Sequence, residues 1–321
     1  MELSIVTTLY RSAPYLREFH RRICAEASKI TDDYELLFVN DGSPDDSLEV
    51  ALSLMEKDAR VRIIDLSRNF GHHKAMMTGL ANAQGHLVFL LDCDLEEDPE
   101  LLGRFYREML QTGADVIYGV QDKRKGAFFE RITGAVFYRL INFLSDYPVP
   151  ANVLVARLMT QRYVASLIEH RDRELFILGL WAITGYTQLP VTVQKHSKGS
   201  SAYTFLQKLS ILVNAVTSFS NVPLVFIFYL GLTIMALSGS AAIYLLVQRI
   251  FFHVYVEGWP SLIVSIWLLG GTTIFCLGIL GIYLSKVFIE TKQRPYTIVR
   301  EVYRREATVE NSVDRSKARE Q

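Results

Sequence analysis

The sequence predicts an α/β domain on a mainly parallel sheet, followed by two membrane-spanning helices. Three observations predict it. Over the first 200 residues, short β-branched or apolar runs alternate with segments of helical spacing. Polar, chemistry-bearing residues collect just after those runs. Near the C-terminus lie two stretches of 23 and 25 residues without a single charge.

In chain order, "LSIVTTL" (3–9) reads as a strand and Pro14–Ser28 as a helix. "YELLFVN" (34–40) is followed by a helical pattern over Asp46–Ala59, and "VRIIDLS" (61–67) by one over His72–Ala83. "HLVFLLD" (86–92) precedes a helix over Pro99–Gln111, and "ADVIYGV" (114–120) is a fifth strand. In such sheets ligands bind beyond the carboxyl ends of the strands. There the chain carries "TLYRS", "NDGSPDD", "SRNFGHH" and "DCDLEED". No internal repeat is visible, and only the last fifteen or so residues read as disordered.

Val225–Val247 and Ser261–Ser285 are the two uncharged stretches. At about 1.5 Å rise per residue, each is long enough for a hydrocarbon core of roughly 30 Å. Neither has the polar face that a helix packed on a soluble core shows. Two spans put both chain ends on one side. Lys286, Lys292, Arg294, Arg300, Arg304 and Arg305 follow the second span, whereas the loop between spans has only Arg249 as a fixed cation. The positive-inside rule places the catalytic portion and tail in the cytoplasm. The expected boundaries are a catalytic domain over 1–200, a membrane-interface segment over 201–223, two transmembrane helices over 224–286 and a cytoplasmic tail over 287–321.

Composition excludes several classes. With 34 basic and 34 acidic residues, no global field favours nucleic acid. Cys24, Cys93 and Cys276 form no CxxC pair, which argues against a disulfide framework or structural zinc and fits a reducing compartment. The start "MELSIVTTLY" has no basic n-region, so no cleaved signal peptide is expected.

The fourth strand ends in carboxylates, Asp92 and Asp94, one residue apart. Neighbouring carboxylates repel unless a cation offsets them. Mg²⁺ and Mn²⁺ prefer oxygen ligands, and Mg²⁺ commonly bridges carboxylates to substrate phosphates. Glu97 and Asp98 are read instead as a solvated helix N-terminus, where acids complement the dipole. Adjacent His72 and His73 point different ways on a helix, so helix-start packing or a polar contact is expected rather than zinc. Neither GxGxxG nor GxxxxGK[ST] occurs at a strand end, which removes the main support for dinucleotide and P-loop readings.

"VNDGSPDDS", "LSRNFGHHKAMMTGLANAQG", "LLDCDLEEDPE", "FYRLIN", "ARLMTQR", "GSSAY" and "SFSNVPL", then two spans and "RPYTI", together resemble the family 2 glycosyltransferases of the polyprenyl-phosphate type. Dolichyl-phosphate mannose synthase and the bacterial polyprenyl-phosphate glucosyl and aminoarabinosyl transferases belong to it. The resemblance runs from residue 3 to about 300. It implies a GT-A, Rossmann-like catalytic domain with membrane-surface helices, a divalent metal, inversion at the anomeric carbon, a nucleoside-diphosphate sugar (a UDP-sugar first among the options) and a polyprenyl phosphate acceptor in a bacterial inner membrane. The Q-x-x-R-W signature of processive synthases is absent. Homo-oligomerisation is left open.

Roles carried by the resemblance follow. Asp41 with Asn40 contacts the nucleobase, although an Asx-turn holding the loop is the competing role for Asp41. Thr8 and Tyr10 match the loop that packs on the base. Asn69, Gly71 and Lys74 suit nucleotide or phosphate contacts. Asp92 and Asp94 match the metal motif, with Asp94 also catalytic, and Glu96 falls where a Gln is usual. Arg124, Arg131 and Arg157 resemble the acceptor-phosphate arginines, Arg157 also being catalytic, while Gln121 replaces an expected Arg. Lys195, His196 and Lys198 meet the donor diphosphate, and Ala202 replaces a Lys. Val155 stands where relatives carry an Asp often proposed as the base. A phosphate acceptor needs no base, because its second pKa near 6 leaves it mostly dianionic. Two alternatives stay open: a transferase acting on a hydroxyl of a lipid-linked saccharide, with Asp172 or Glu174 as base, and a non-catalytic nucleotide-sugar-binding membrane protein.

Overall fold

The computed structural model describes residues 1–121, 152–173, 175, 177–194, 213, 217, 220, 222–252 and 258–305. The chain divides into two compact units. One gathers Met1–Arg131, Pro150–Ala202 and Pro295–Gln321; the other gathers Ile132–Val149 and Tyr203–Arg294.

The first unit holds the sheet. β1 (Leu3–Leu9) and β2 (Tyr34–Asn40) are buried along their whole length, as parallel strands covered on both faces must be. That is why these runs lack polar alternation. β3 (Val61–Leu66) extends the parallel set on one side of β2, and β4 (Leu87–Leu90) pairs with β1 on the other. The connecting helices are α1 (Ala13–Ala27), α2 (Ser47–Met55) and α3 (His72–Asn82), with α4 (Leu101–Thr112) after β4. Leu16, Phe19, Ile23 and Ala27 form the buried stripe of α1 at three- and four-residue spacing. Phe105 of α4 packs edge-on against Phe89 of β4, with ring centroids 6.2 Å apart. α3 lies so close to the sheet that a Cβ on Gly79 would come within 2.4 Å of a Val6 methyl.

β5 (Val116–Gln121), β6 (Val153–Thr160) and β7 (Gln188–Val193) complete that side, with α5 (Gln161–Glu169) and α6 (Ile177–Ile183) between β6 and β7. The strand order is β7-β5-β6-β4-β1-β2-β3-β8, where β8 is Val299–Arg304. β6 and β8 run antiparallel to their neighbours. The chain steps outward from β1 to β2 to β3, then returns to lay β4 on the far side of β1. That reversal falls at the carboxyl ends of β1 and β4, the usual place for a ligand crevice in an open α/β sheet.

The five strands expected from sequence are present, with ends shifted by up to two residues. Two ends moved for visible reasons. α2 stops at Met55 because Asp58 folds back on Arg60, accepting from its amide at 3.1 Å and from its guanidinium at 2.8 and 3.0 Å. β4 stops at Leu90; one further bond, Leu91 N–H to the Val6 carbonyl, precedes the turn at Cys93 and Asp94.

In the second unit, α7 (Val222–Phe252) and α8 (Trp259–Thr291) contain spans Val222–Ala241 and Ser265–Thr291, long and apolar enough to cross a membrane, with mean hydropathies of 2.0 and 1.9. Neither span is buried within the protein, so they are not core helices. Phe228, Ile243, Trp267, Ile274 and Leu284 all stand exposed, more apolar surface than a water-soluble monomer leaves open.

Candidate active site

Thr8, next to last in β1, is buried, and Tyr10 just past the strand is exposed, with the Arg11 guanidinium 5.7 Å from its ring centre. Asn40 and Asp41 close β2, and both are buried. The Asp41 carboxylate accepts from the Phe70 amide at 2.7 Å and the Gly71 amide at 3.0 Å. Burial pushes its pKa up, and those two amides oppose the rise. So Asp41, expected at the nucleobase, uses both oxygens to hold the loop that leads into α3. The competing loop-holding role is the one its hydrogen bonds support, with the loop after β3 as the segment held.

The same loop explains the glycine of "NDGS". Gly42 has φ +58°, and a Cβ there would lie 2.5 Å from the carbonyl carbon of Arg68 and from the amide nitrogen of Asn69. Only glycine lets the two loops pass this closely. Asn40 donates to Asp65 at 2.7 Å and accepts from the Ser43 amide at 3.2 Å, so its side chain braces both loops. Asn69 is exposed on the braced loop, Gly71 precedes α3 with φ +102°, and Lys74 lies in its first turn.

His72 bridges the strand ends. Its Nδ1 lies 3.0 Å from the Thr8 hydroxyl and its Nε2 3.4 Å from an Asp92 oxygen. With the ring proton on Nε2, Nδ1 accepts from the Thr8 hydroxyl and the N–H edge faces Asp92. Burial holds the His72 pKa below its ordinary value, against the pull of Asp41 and Asp94. The expected polar contact is present, but its partner, a carboxylate of the metal motif, could not be read from sequence. His73, also held low by burial, turns elsewhere, toward the backbone at Leu175.

Cys93 between the two aspartates is buried, its thiol 3.3 Å from the Thr8 carbonyl, and burial pushes its pKa up to about 12. That inert anchor fixes the turn bearing Asp92 and Asp94 against β1. Asp94 accepts from the Glu96 amide at 2.9 Å, and Leu95 between them takes φ +61°. Asp92, Asp94 and Glu96 are all partly exposed, an all-oxygen set that fits Mg²⁺ or Mn²⁺. Among the described residues, His20, Cys24 and Asp58 also cluster with ligand atoms within 4.8 Å of one another, but Asp58 is held there by Arg60.

Glu97 is not a solvated helix terminus. It is 2% exposed and accepts from the amides of Val155 at 3.4 Å and Ala156 at 2.8 Å. The sequence shows an acidic run but not that a second strand comes to meet it. Asp98 does reach the surface, where it pairs with Arg22 at 2.9 Å. Glu97 thus ties the metal-motif loop to the strand carrying Arg157. That arginine sits opposite Leu90, the last residue of β4, and is 1% exposed. Its guanidinium carbon lies 2.9 Å from the centre of the Trp181 ring. Burial lowers its pKa to about 9, against nearby Tyr163, Glu97 and Tyr118. Arg124, Arg131, Glu174, Lys195, His196, Lys198 and Ala202 lie outside the described residues.

The sheet reversal thus sets carboxylates and a braced loop where open α/β enzymes bind their ligands. The chain belongs to glycosyl transferase family 2, whose model matches residues 4–167. It is 58% identical over 303 residues to a glycosyltransferase of Mycobacterium tuberculosis, covering 94% of this chain and 89% of that one. It is 33% identical to the uncharacterized glycosyltransferase YkcC of Bacillus subtilis, over 94% of each chain. It is 29% identical to the bactoprenol glucosyl transferase of Shigella phage SfII, over 95% of this chain and 99% of that one. Among solved structures, glucosyl-3-phosphoglycerate synthase from Mycobacterium tuberculosis with Mn²⁺, UDP-glucose and phosphoglyceric acid is similar at 18% identity and a TM-score of 0.45, over 67% of this chain and 79% of that one.

Proposed function

We propose that the protein is an inverting, metal-dependent glycosyltransferase that moves a sugar from a nucleoside diphosphate, UDP first among them, to polyprenyl phosphate at the cytoplasmic membrane face. The observation that carries this reading is the path of the chain. It leaves the catalytic sheet, forms two apolar helices, and re-enters the same sheet as β8. A transferase tethered through both ends of such a hairpin is suited to an acceptor that never leaves the bilayer. The bactoprenol glucosyl transferase name of a relative matched over nearly its whole length supports the same acceptor class.

Asp92, Asp94 and Glu96 would hold the divalent ion. When bound, such an ion supplies charge neutralisation for the leaving diphosphate. The acceptor phosphate brings its own negative charge, so an oxygen of the lipid phosphate attacks the anomeric carbon as the bond to the diphosphate breaks. Val155 in place of an acid is compatible with that nucleophile. Arg124 and Arg131 are proposed to hold the acceptor phosphate, with the buried Arg157 acting on it from beneath rather than in contact, and Lys195, His196 and Lys198 the donor diphosphate.

The test is to incubate purified protein and labelled UDP-sugars with short polyprenyl phosphate. Label should enter a lipid joined to sugar through one phosphate, with inverted configuration. Transfer only to a lipid-linked saccharide bearing free hydroxyls would overturn the acceptor, and Asp172 and Glu174 would then be the residues to replace.

A further inference from the structure

The segment after the second apolar helix does more than end the chain. Thr297 shares a hydrogen bond with Thr78 of α3 at 2.8 Å, and the Ile298 carbonyl accepts from the Ser67 amide at 2.9 Å. Arg300 then reaches across β3, donating to the Ser67 carbonyl at 2.7 Å and to Asp65 at 3.2 Å. Asp65 is 1% exposed, and its other oxygen accepts from Asn40 at 2.7 Å. Asn40 in turn fixes the Ser43 amide. Thus one guanidinium supports the loop after β2 through Asp65 and Asn40, and the loop after β3 through Ser67. These are the loops that Asp41 clamps together.

From this network we infer that Arg300 is a positioning residue for the donor nucleotide and that residues 297–304 form a strap setting donor affinity. The inference rests on the donor reading proposed above. The Arg300 side chain is 58% exposed, so an isolated surface ion pair there would contribute little. Its weight comes from Asp65. Removing the arginine leaves a buried carboxylate with Asn40 as its remaining side-chain partner among the contacts above, and a poorly compensated buried charge is costly enough to shift its loop. Along the chain, residues 292–296 separate this strap from α8.

The experiment compares the full-length protein with Arg300→Ala and Arg300→Lys, using UDP as the probe and hydrogen exchange as a second readout. Arg300→Ala should weaken UDP binding and raise the donor KM on the order of fivefold to tenfold, the size seen when a residue outside a site loosens those within it. Its kcat should stay within about twofold of the parent, and amides at 68–71 should exchange faster. Arg300→Lys, able to reach Asp65 or the Ser67 carbonyl singly, should recover part of the affinity. Equal UDP binding and unchanged exchange in Arg300→Ala would overturn the inference while leaving the donor reading intact. Failure of the parent protein to bind UDP would overturn that donor reading and this role with it. A fall in kcat at unchanged KM would assign Arg300 to something other than donor positioning.

Discussion

At Asp92 and Asp94 the chain accepts a local cost. Two half-buried carboxylates flank a thiol locked into the core, and His72 reaches one of them from α3. The proposed divalent cation would offset that cost. Asp94→Asn keeps the side-chain shape and the hydrogen bond from the Glu96 amide but removes the charge. Turnover should fall about 100-fold or more, by analogy with loss of a charge-stabilising group at an active site, while the thermal midpoint stays close to that of the parent. Excess EDTA should abolish transfer in the parent. Full activity in EDTA would sink the metal reading.

Among the elements, the edge at β5, β6 and β7 depends on one carboxylate. Asp115, just before β5, accepts from Arg162 of α5 at 2.5 Å, from the Thr160 hydroxyl that ends β6 at 3.2 Å, and from the Thr187 amide before β7 at 3.4 Å. Burial raises its pKa, but Arg162 and these donors outweigh it and hold the carboxyl below the usual range. A depressed folded-state pKa gives stability that is full above the unfolded value, roughly 3.9, and is lost as pH falls through the folded one. Thermal unfolding of the full chain between pH 5 and 3 should therefore drop more steeply for the parent than for Asp115→Asn. Parallel curves would show that this carboxylate does not couple to acid unfolding. β1 to β5 and α1 to α4 followed from periodicity, whereas α5, α6, β6, β7 and β8 did not. β8 carries two arginines and one glutamate in six residues and is exposed along nearly its whole length, so it carries no buried pattern to detect.

For the whole molecule, the sheet constrains topology. β8 pairs with β3, so the chain returns to the sheet it left before α7. If α7 and α8 both span, their outer ends emerge on the same side. Reporter fusions at Gln321 should then register in the cytoplasm, together with fusions inside the catalytic unit. Activity of a Gln321 fusion only outside the cytoplasm would refute the proposed orientation. Two of the cations that point to the cytoplasm in the sequence also have structural partners: Arg300 at Asp65 and Arg305 at the Glu56 carbonyl, 3.2 Å away.

The sequence by itself determined the α/β class, the five-strand core, the apolar helices and the carboxylate pair at a strand end. Each is a local property: a period, a run length, or neighbours one or two residues apart. What only the tertiary structure decided are the partners. Asp41 on the loop amides, Gly42 beneath Arg68 and Asn69, His72 on Asp92, Glu97 on β6 and Arg300 on Asp65 join positions 20 to 235 residues apart. A carboxylate looks the same in sequence whether it awaits a metal, a nucleobase or a backbone amide. Which of these it meets depends on the strand order that reverses at β1 and β4, because that reversal decides which loops share a crevice.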